Sequence, residues 1–358
     1  MIPAGTESPM RKLSAAELGR IGTALFDAAG SPHEESEIVS DVLVRASLAG
    51  HDSHGIMRFT QYVQQIRNGE IRPGAPFEIE RETRAIAIIN GHQGWGPVIA
   101  RKAMLLAIEK ARHCSVGTVV IRGSQHIGRV GEYPIMAAAE QMIGLAFVNS
   151  YGGGAAVAPW GGIDGRLAPN PIAFAAPSGE GWPVLVDITT SVIPEGKVRV
   201  AFYQAAQLPE GCVIDAEGNP TTDPAAFYGP PLGALLPLGG PVGHKGTALS
   251  IMAELLGGAL SAAGCSGQPM DTTGNGVFFQ AINIADFIPV DAFIERVQQL
   301  RAWVKSSRKR PGIMEILFPG EPEYRTSRRR QEEGIPVDDG VWAEIVKTAQ
   351  DLGVYVIE

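Results

Sequence analysis

Cysteine is scarce: Cys114, Cys212 and Cys265 are the only three in 358 residues, and they stand far apart with no CxxC spacing. A disulfide framework and a structural zinc site are therefore not expected, and the thiols read as small, reduced packing groups of a cytoplasmic protein. Long apolar runs are missing too. No stretch reaches the roughly 18 uninterrupted apolar residues of a membrane span. The Met1–Met10 segment is polar, bears Pro, Gly and Ser, and has no apolar leader core. Positive charge is not in excess, since 30 Lys and Arg stand against 38 Asp and Glu for a net charge of −8. That balance argues against a nucleic-acid or anionic-membrane partner. The basic run Arg328-Arg329-Arg330 is offset by Glu332 and Glu333 and reads as a solvated face. Several chemical signatures are also absent. There is no GxGxxG after a strand, no GxxxxGK[ST], no GxSxG and no HExxH. Neither a Rossmann fingerprint, a P-loop, a nucleophile elbow nor a zincin site is available, and no metal is expected.

What is present is an ordinary globular balance, 45% hydrophobic and 19% charged, in a chain long enough for two or three lobes. Apolar spacing predicts helices over 12–30 and 33–48; Ser14 and Glu17 form a capping box, and Ser31-Pro32 opens the second helix. A third helix is expected over 59–68, ending at Gly69. A strand over 85–90 leads through Gly94-Trp95-Gly96-Pro97 into a long helix over 98–112, a β-branched strand over 117–122, a helix over 131–141 and a strand over 143–149. This alternation predicts an α/β lobe. The stretch 151–240 is rich in Gly and Pro, with short strands such as 184–187. Beyond it come an apolar helix over 245–263 with Gly257-Gly258 placed for close packing, a strand over 276–284, a helix over 292–306, a turn at Pro319-Gly320-Glu321-Pro322 and a closing helix over 338–352.

The densest chemistry lies in His51-Asp52-Ser53-His54-Gly55-Ile56-Met57-Arg58. Two imidazoles titrate near neutrality, a hydroxyl can orient one of them, and a guanidinium fork suits a carboxylate. If the segment is helical, His54 and Arg58 share a face, so Arg58 can grip a substrate carboxylate while His54 acts as general acid or base. A second histidine, His126, follows a buried strand in Ser124-Gln125-His126-Ile127-Gly128, where α/β proteins line their sites; a plain loop histidine is the alternative. Asp187-Ile188-Thr189-Thr190-Ser191 ends a strand with one carboxylate and three hydroxyls, suited to ribose or phosphate and equally to capping. Gly243-His244-Lys245-Gly246 opens a helix with a lysine, an arrangement that can hold an anion or simply expose a cation. From the residues alone the chain reads as an enzyme acting on a small acid, with a phosphate-bearing cofactor. The residues by themselves do not indicate redox chemistry.

The order of its segments is more specific. The strings SHGIMRFTQYVQQIRNGEI from Ser53, SQHIGRVGEY from Ser124, APWGG from Ala158, NPIAFAAP from Asn170, LVDITTS from Leu185, GNPTTDP from Gly218, GHKG from Gly243 and FPGEPE from Phe318 occur in one order across nearly the whole chain. In this the sequence resembles the malate/L-lactate dehydrogenase family that lacks a Rossmann fold. The resemblance implies an α/β fold with a mixed-sheet NAD(P)-binding lobe and a helical lobe built from both termini, divided as 1–80, 81–310 and 311–358. It implies hydride transfer between NAD or NADP and a small 2-hydroxyacid or 2-ketoacid, with reduction of a cyclic imine such as Δ1-piperideine-2-carboxylate or of a diketogulonate as the alternative. By the same resemblance His54 is the proton donor, Ser53 orients it, and Arg58, with Tyr62 from the same string, holds the substrate carboxylate. His126 matches a histidine that is acid/base in some members and a cofactor contact in others, which leaves open which histidine moves the proton. Asp187, Ile188, Thr189, Thr190, Ser191, His244, Lys245, Gly320, Glu321 and Pro322 match cofactor contacts. A homodimer with its active site near the interface is implied as well.

Two departures stand out. Ala168-Pro169-Asn170-Pro171 replaces the usual Gly-Thr-Asn-Pro, and a proline there removes a backbone donor. Lys197 follows Gly196 where some members carry aspartate, which tilts the reading toward hydroxyacids over imines.

Overall fold

The computed structural model describes residues 11–356, so the Met1–Met10 segment discussed above lies outside the described residues. The chain begins with strand β1 (Arg11–Leu13) and helices α1 (Ala15–Ala28), α2 (His33–Leu48) and α3 (Arg58–Arg67), with a 3-10 turn at Asp52–His54 between the last two. It continues through β2 (Glu78–Glu82), β3 (Ile86–Gly94), α4 (Gly96–Cys114), β4 (Val116–Ser124), α5 (Glu132–Ala139), β5 (Met142–Tyr151), β6 (Ile172–Ala176) and β7 (Val184–Ile188). The glycine-rich middle holds α6 (Glu195–Tyr203), β8 (Val213–Ile214), β9 (Pro220–Thr221), α7 (Ala225–Tyr228) and β10 (Ala234–Leu235). Then come α8 (His244–Ala253), β11 (Gly274–Asn283), α9 (Val290–Lys305), α10 (Glu321–Glu333), β12 (Ile335–Val337) and α11 (Asp339–Leu352).

Seven strands form one mixed sheet in the order β2-β3-β4-β11-β5-β6-β7. Only β3 and β4 run parallel, joined by α4 as a βαβ crossover; every other neighbouring pair is antiparallel. The α/β expectation therefore holds. One face of this sheet buries Ala87, Ile89, Val119, Ile121, Ala146, Val148, Val277 and Phe279 against α4 and α5. The small residues Ala100, Ala103, Ala107 and Ala111 let α4 sit close to the strands. Strand alternation turns Asn149, Gly276 and Phe278 to the other face, and there the segment after α8 packs.

That segment is where the expected 245–263 helix changes character: α8 ends at Ala253 and a π-helical turn runs over Glu254–Ala259. Gly257 and Gly258 are there for close approach, as the spacing suggested. A Cβ on Gly257 would stand 2.8 Å from the Gly276 carbonyl oxygen and 3.0 Å from Asn149 N.

A second core belongs to both ends of the described chain. Leu18, Leu25, Phe26, Val39, Leu43, Phe59, Tyr62 and Trp95 pack with Ile335, Trp342 and Ile345, and β1 pairs with β12. The Ser14–Glu17 capping box forms, with Glu17 N donating to Ser14 Oγ at 3.2 Å and Ser14 N to Glu17 Oε2 at 2.9 Å. Trp95, at the β3–α4 junction, is fully buried in this core and donates its indole N–H to Ser31 Oγ at 2.9 Å. A third, smaller core around Val157, Val198, Leu208, Val213, Phe227 and Leu235 carries α6.

Several expectations need correction. Lys12 and Leu13 lie in a strand, because Ser14 caps the helix after them. The helix α6 and the strand β2 were not anticipated. Gly320-Glu321-Pro322 is not an isolated turn: Gly320, at φ 93°, caps α10, and Pro322 sits in its first turn, where the missing N–H costs nothing. The basic run is only partly solvated, since Arg330 is largely buried and pairs with Asp52, Nη1 to Oδ1 at 2.5 Å and Nη2 to Oδ2 at 3.0 Å. Among the described residues no helix is long and apolar enough to cross a membrane.

The π-turn contact yields a stability prediction. Gly257→Ala forces a Cβ against backbone atoms that cannot swing aside, and overpacking of this kind costs about 1–3 kcal/mol. The urea-unfolding midpoint of G257A should fall accordingly, and an unchanged midpoint would show that the π-turn is not held against β5 and β11 as described.

Candidate active site

The site is built where the helical core meets the end of β4. The chain leaves α2 and turns sharply, with His51 N donating to Ala46 O at 2.9 Å and Ile56 N to Ser47 Oγ at 3.0 Å. Arg330 clamps the turn through Asp52, and His51 lies 3.7 Å from Glu323, so these two residues support the turn from behind rather than face the cleft. Ser53 and His54 face forward. Ser53 Oγ is 3.0 Å from His54 Nδ1. Arg58 opens α3, with Nε donating to Ser53 O at 2.7 Å and Nη1 to Gln61 Oε1 at 2.5 Å. Among the described residues its Nη2 makes no hydrogen bond. A cation at a helix N-terminus opposes the helix dipole, and an anion bound beside it relieves that cost.

One turn along α3, Tyr62 is fully buried and its hydroxyl reaches His126 Nδ1 at 2.7 Å. The hydroxyl of Tyr62, expected as a substrate contact, is hydrogen-bonded to this histidine. The imidazoles of His54 and His126 stack with centroids 5.5 Å apart and planes 28° from parallel. The structure thus brings Ser53, His54, Arg58, Tyr62 and His126 together from two stretches of sequence.

Their electrostatics are set by burial and by arginine. Desolvation, then the positive charge of Arg58, then His51 and Arg129 hold His54 down at about 3. Desolvation, then Arg58 and His54, hold His126 well below its ordinary value of 6.5. Both rings are neutral at pH 7. Burial likewise pushes the Tyr62 phenol up, so it stays protonated and able to donate.

The expected cofactor residues fall into two kinds. Asp187 Oδ2 accepts from Arg129 Nε at 3.2 Å and from Gly131 N at 2.9 Å. Thr190 Oγ1 donates to Pro169 O at 2.9 Å and Ser191 Oγ to Ile193 O at 2.7 Å; both residues are buried. The side chains of Asp187, Thr190 and Ser191 therefore shape the loop from inside, leaving Ile188 exposed at its surface. Glu321 is also committed internally, to Lys305 Nζ at 2.8 Å and to Phe318 N at 3.1 Å. Gly320 abuts β7, where Leu185 N donates to Pro319 O at 3.3 Å. His244 and Lys245, in contrast, are exposed at the start of α8. This helix start joins the Asp187–Ser191 loop through Leu238, whose N–H donates to Thr190 O at 2.8 Å. An exposed histidine and lysine at a helix start, next to that loop, fit the phosphates of a dinucleotide.

Sequence reasoning missed α6, which stands opposite the turn. A Cβ on its Gly196 would lie 3.0 Å from Ser53 Cβ. Lys197, next to it, is exposed. A helix among so many glycines and prolines gives little periodic signal, and only the capping pattern Pro194-Glu195 could have marked it. Among the described residues no cluster of three or more His, Cys, Asp or Glu could hold a metal ion.

The chain matches the family model for malate/L-lactate dehydrogenase over residues 13–346. It is 40% identical over 333 residues to a malate dehydrogenase of Pyrococcus horikoshii, covering 91% of each chain. It is 38% identical over 349 residues to an L-sulfolactate dehydrogenase of Methanothermobacter thermautotrophicus, covering 96% of this chain and 98% of that one. The crystal structure of malate dehydrogenase from Entamoeba histolytica superposes with a TM-score of 0.92 at 30% identity, over 98% of this chain and 100% of that one. With the mixed sheet and the His54–His126 cleft already described, these matches show that the chain belongs to the malate/L-lactate dehydrogenase family.

Proposed function

We propose that the protein is an NAD(P)-dependent oxidoreductase acting on carbon 2 of a small 2-hydroxyacid or 2-ketoacid, with Arg58 holding the carboxylate and His54 moving the proton. The observation that carries this reading is the convergence of one guanidinium and two neutral imidazoles on a single cleft.

The hydrogen bonds support a division of labour between the histidines. Tyr62 is buried, and its hydroxyl has His126 Nδ1 as its partner. Donation to that nitrogen satisfies the phenol, since the opposite sense would leave its proton buried without an acceptor. His126 then carries its proton on Nε2 and offers a donor to the substrate oxygen, and it cannot also take a proton there. His54 is different. The Ser53 hydroxyl rotates, so it accepts from His54 Nδ1 and leaves Nε2 free as a base. His54 accordingly takes the hydroxyl proton in oxidation and returns it in reduction, while Ser53 keeps the ring oriented. Tyr62 positions His126.

The dinucleotide is placed against Lys245, His244 and the N–H groups that open α8, beside Ile188, Thr189 and the loop shaped by Asp187, Thr190 and Ser191. Gly320, Glu321 and Pro322 border the same strand, and His126 closes the end toward the cleft. When bound, the nicotinamide accepts hydride in one direction and donates it in the other. We also infer a cytoplasmic homodimer with its sites near the interface. In support, α9 is a 16-residue helix with no buried residue, and Leu300 and Trp303 stand exposed on it. We further propose a division into 1–80, 81–310 and 311–358.

Two measurements test this reading. A panel of 2-hydroxyacids, 2-ketoacids and Δ1-piperideine-2-carboxylate, followed by NAD(P)H absorbance, should give turnover with the acids. His54→Ala should lower kcat by about 100-fold or more, a typical general acid/base contribution. Arg58→Ala should act chiefly on kcat/KM, and unchanged kinetics in both variants would sink the site. The second test is pH-dependent stability. His54, at about 3 in the folded chain, takes up its proton at 6.5 on unfolding. Its contribution is complete above pH 6.5 and is lost as pH falls toward 3, at up to about 1.4 kcal/mol per pH unit. Urea midpoints between pH 6.5 and 4.5 should therefore decline less steeply in His54→Gln than in the parent. Superimposed profiles would show that His54 is not held neutral by the fold.

A further inference from the structure

The cleft has a second cation that the proposed reaction leaves unused. Gly196 brings α6 against Ser53. Residues three and four positions along a helix share a face, so Arg199 stands one turn from Gly196 on the side toward the cleft. Val198 and Ala201 bury the other side in the third core. Arg199 Nη2 pairs with Glu195 Oε2 at 2.9 Å, and the other oxygen of Glu195 accepts from the Tyr228 hydroxyl at 2.7 Å. Arg199 Nε is buried with no partner. The charges of Arg199 and Glu195 both act on Arg58, the first lowering and the second raising its affinity for its proton. A second guanidinium thus stands near enough to act on Arg58, paired with the Glu195 carboxylate. That carboxylate has its own donor in Tyr228, so it stays satisfied if Arg199 turns away.

We propose that Arg199 is a specificity-determining residue that receives a second anionic group of the substrate, a carboxylate or a sulfonate, so that the enzyme selects dianionic over monoanionic 2-hydroxyacids. The proposal rests on the 2-hydroxyacid reading above. Arg58 takes the carboxylate next to the reacting carbon, and Arg199 takes the group at the far end. A dianion neutralises both cations at once, whereas a monoanion leaves Arg199 beside Arg58 with only Glu195 to balance it. Discrimination of this kind arises because the analogue lacking the group leaves the Arg199 Nε without a partner and the positive charge beside Arg58 balanced by Glu195 alone.

The test compares kcat/KM for malate, sulfolactate and lactate in the full chain and in Arg199→Gln, Arg199→Lys and Glu195→Gln. The parent should favour both dianions over lactate, and R199Q should cut that ratio by about 30-fold, the worth of one charged hydrogen bond. R199K should keep most of the ratio, and E195Q should raise it by removing the internal competitor. Loss for malate alone or sulfolactate alone would assign the far end to one anion. Equal losses for all three acids in R199Q, or an unmoved ratio, would overturn the proposal. Calorimetric binding of malate and lactate separates this from failure of the underlying reading. Turnover with an Arg199-independent ratio removes Arg199, whereas Arg199-dependent malate binding without turnover removes the reaction and keeps the anion site.

Discussion

One hydrogen bond holds the site in place, that between the Tyr62 hydroxyl and His126 Nδ1 at 2.7 Å, across 64 residues of sequence. Tyr62 cannot turn away from it. Its ring is locked among Phe26 and Trp95, at centroid distances of 6.5 and 5.6 Å, and a buried hydroxyl without a partner would cost about 1–3 kcal/mol. The aromatic core of the N-terminal helices therefore fixes a phenol, and the phenol fixes the tautomer and tilt of an imidazole at the end of β4. Because His54 stacks on that imidazole, the packing of one core decides how both rings present their outer nitrogens. The same contact keeps α3 in register with the sheet, so Arg58, one turn earlier, inherits its position from it.

A chain of charges, exposed at Arg45 and buried from Glu132 inward, makes a second tie between the same parts. Arg45 on α2 reaches Glu132 at 3.0 Å, Glu132 reaches Arg129 at 2.9 Å, and Arg129 reaches Asp187 at 3.2 Å. The signs alternate, so each buried group has opposite neighbours, and removing any one would strand another without a partner. Asp187 thereby anchors β7 and the loop after it to α2, the helix that precedes the turn bearing Ser53 and His54. The tie is not electrically silent, because Arg129 is among the charges that keep His54 neutral. At Asp187 the sequence left two readings open. A carboxylate at a strand end is equally suited to a ribose and to an arginine, and only the fold shows its oxygen already held by Arg129 and Gly131 N.

What could be read from the sequence was what is local. The helix over 33–48 matched α2 to the residue because a proline, a first turn of acids and a periodic apolar stripe all agree on it. Ser53, His54 and Arg58 stand within six positions, so their grouping needed no tertiary information, and His126 was marked by the strand before it. Tyr62 was visible as a residue but not as a partner, since nothing near it in sequence names His126. The helix α10 was hidden for a different reason. Its sequence, Glu321 to Glu333, is almost wholly charged or polar with no apolar stripe, and it is held by ion pairs such as Arg330–Asp52 rather than by periodic burial. In α6 the surrounding glycines and prolines masked a helix of nine residues, and Arg199 was lost with it. The nucleotide half had no glycine fingerprint to find, so its residues came from resemblance alone. Several of them prove to hold the loop from within.

The electrostatics of the site bear on how its parts work together. Burial alone disfavours a proton on either imidazole, and Arg58 adds to that penalty for both. An anion on Arg58 cancels part of the penalty, so carboxylate binding and protonation of His54 reinforce each other. Such coupling is reciprocal: whatever the carboxylate adds to the proton affinity of His54, the proton returns to the affinity for the carboxylate. On the proposed reading a ketoacid, which needs a proton delivered, would be bound best by the protonated site, whereas a hydroxyacid, which must lose one, would need the ring neutral. The stacked pair keeps this coupling confined to one proton, because Tyr62 leaves His126 no vacant nitrogen facing the substrate. The aromatic core that sets the ring geometry therefore also determines which of the two histidines can respond to the charge of the substrate.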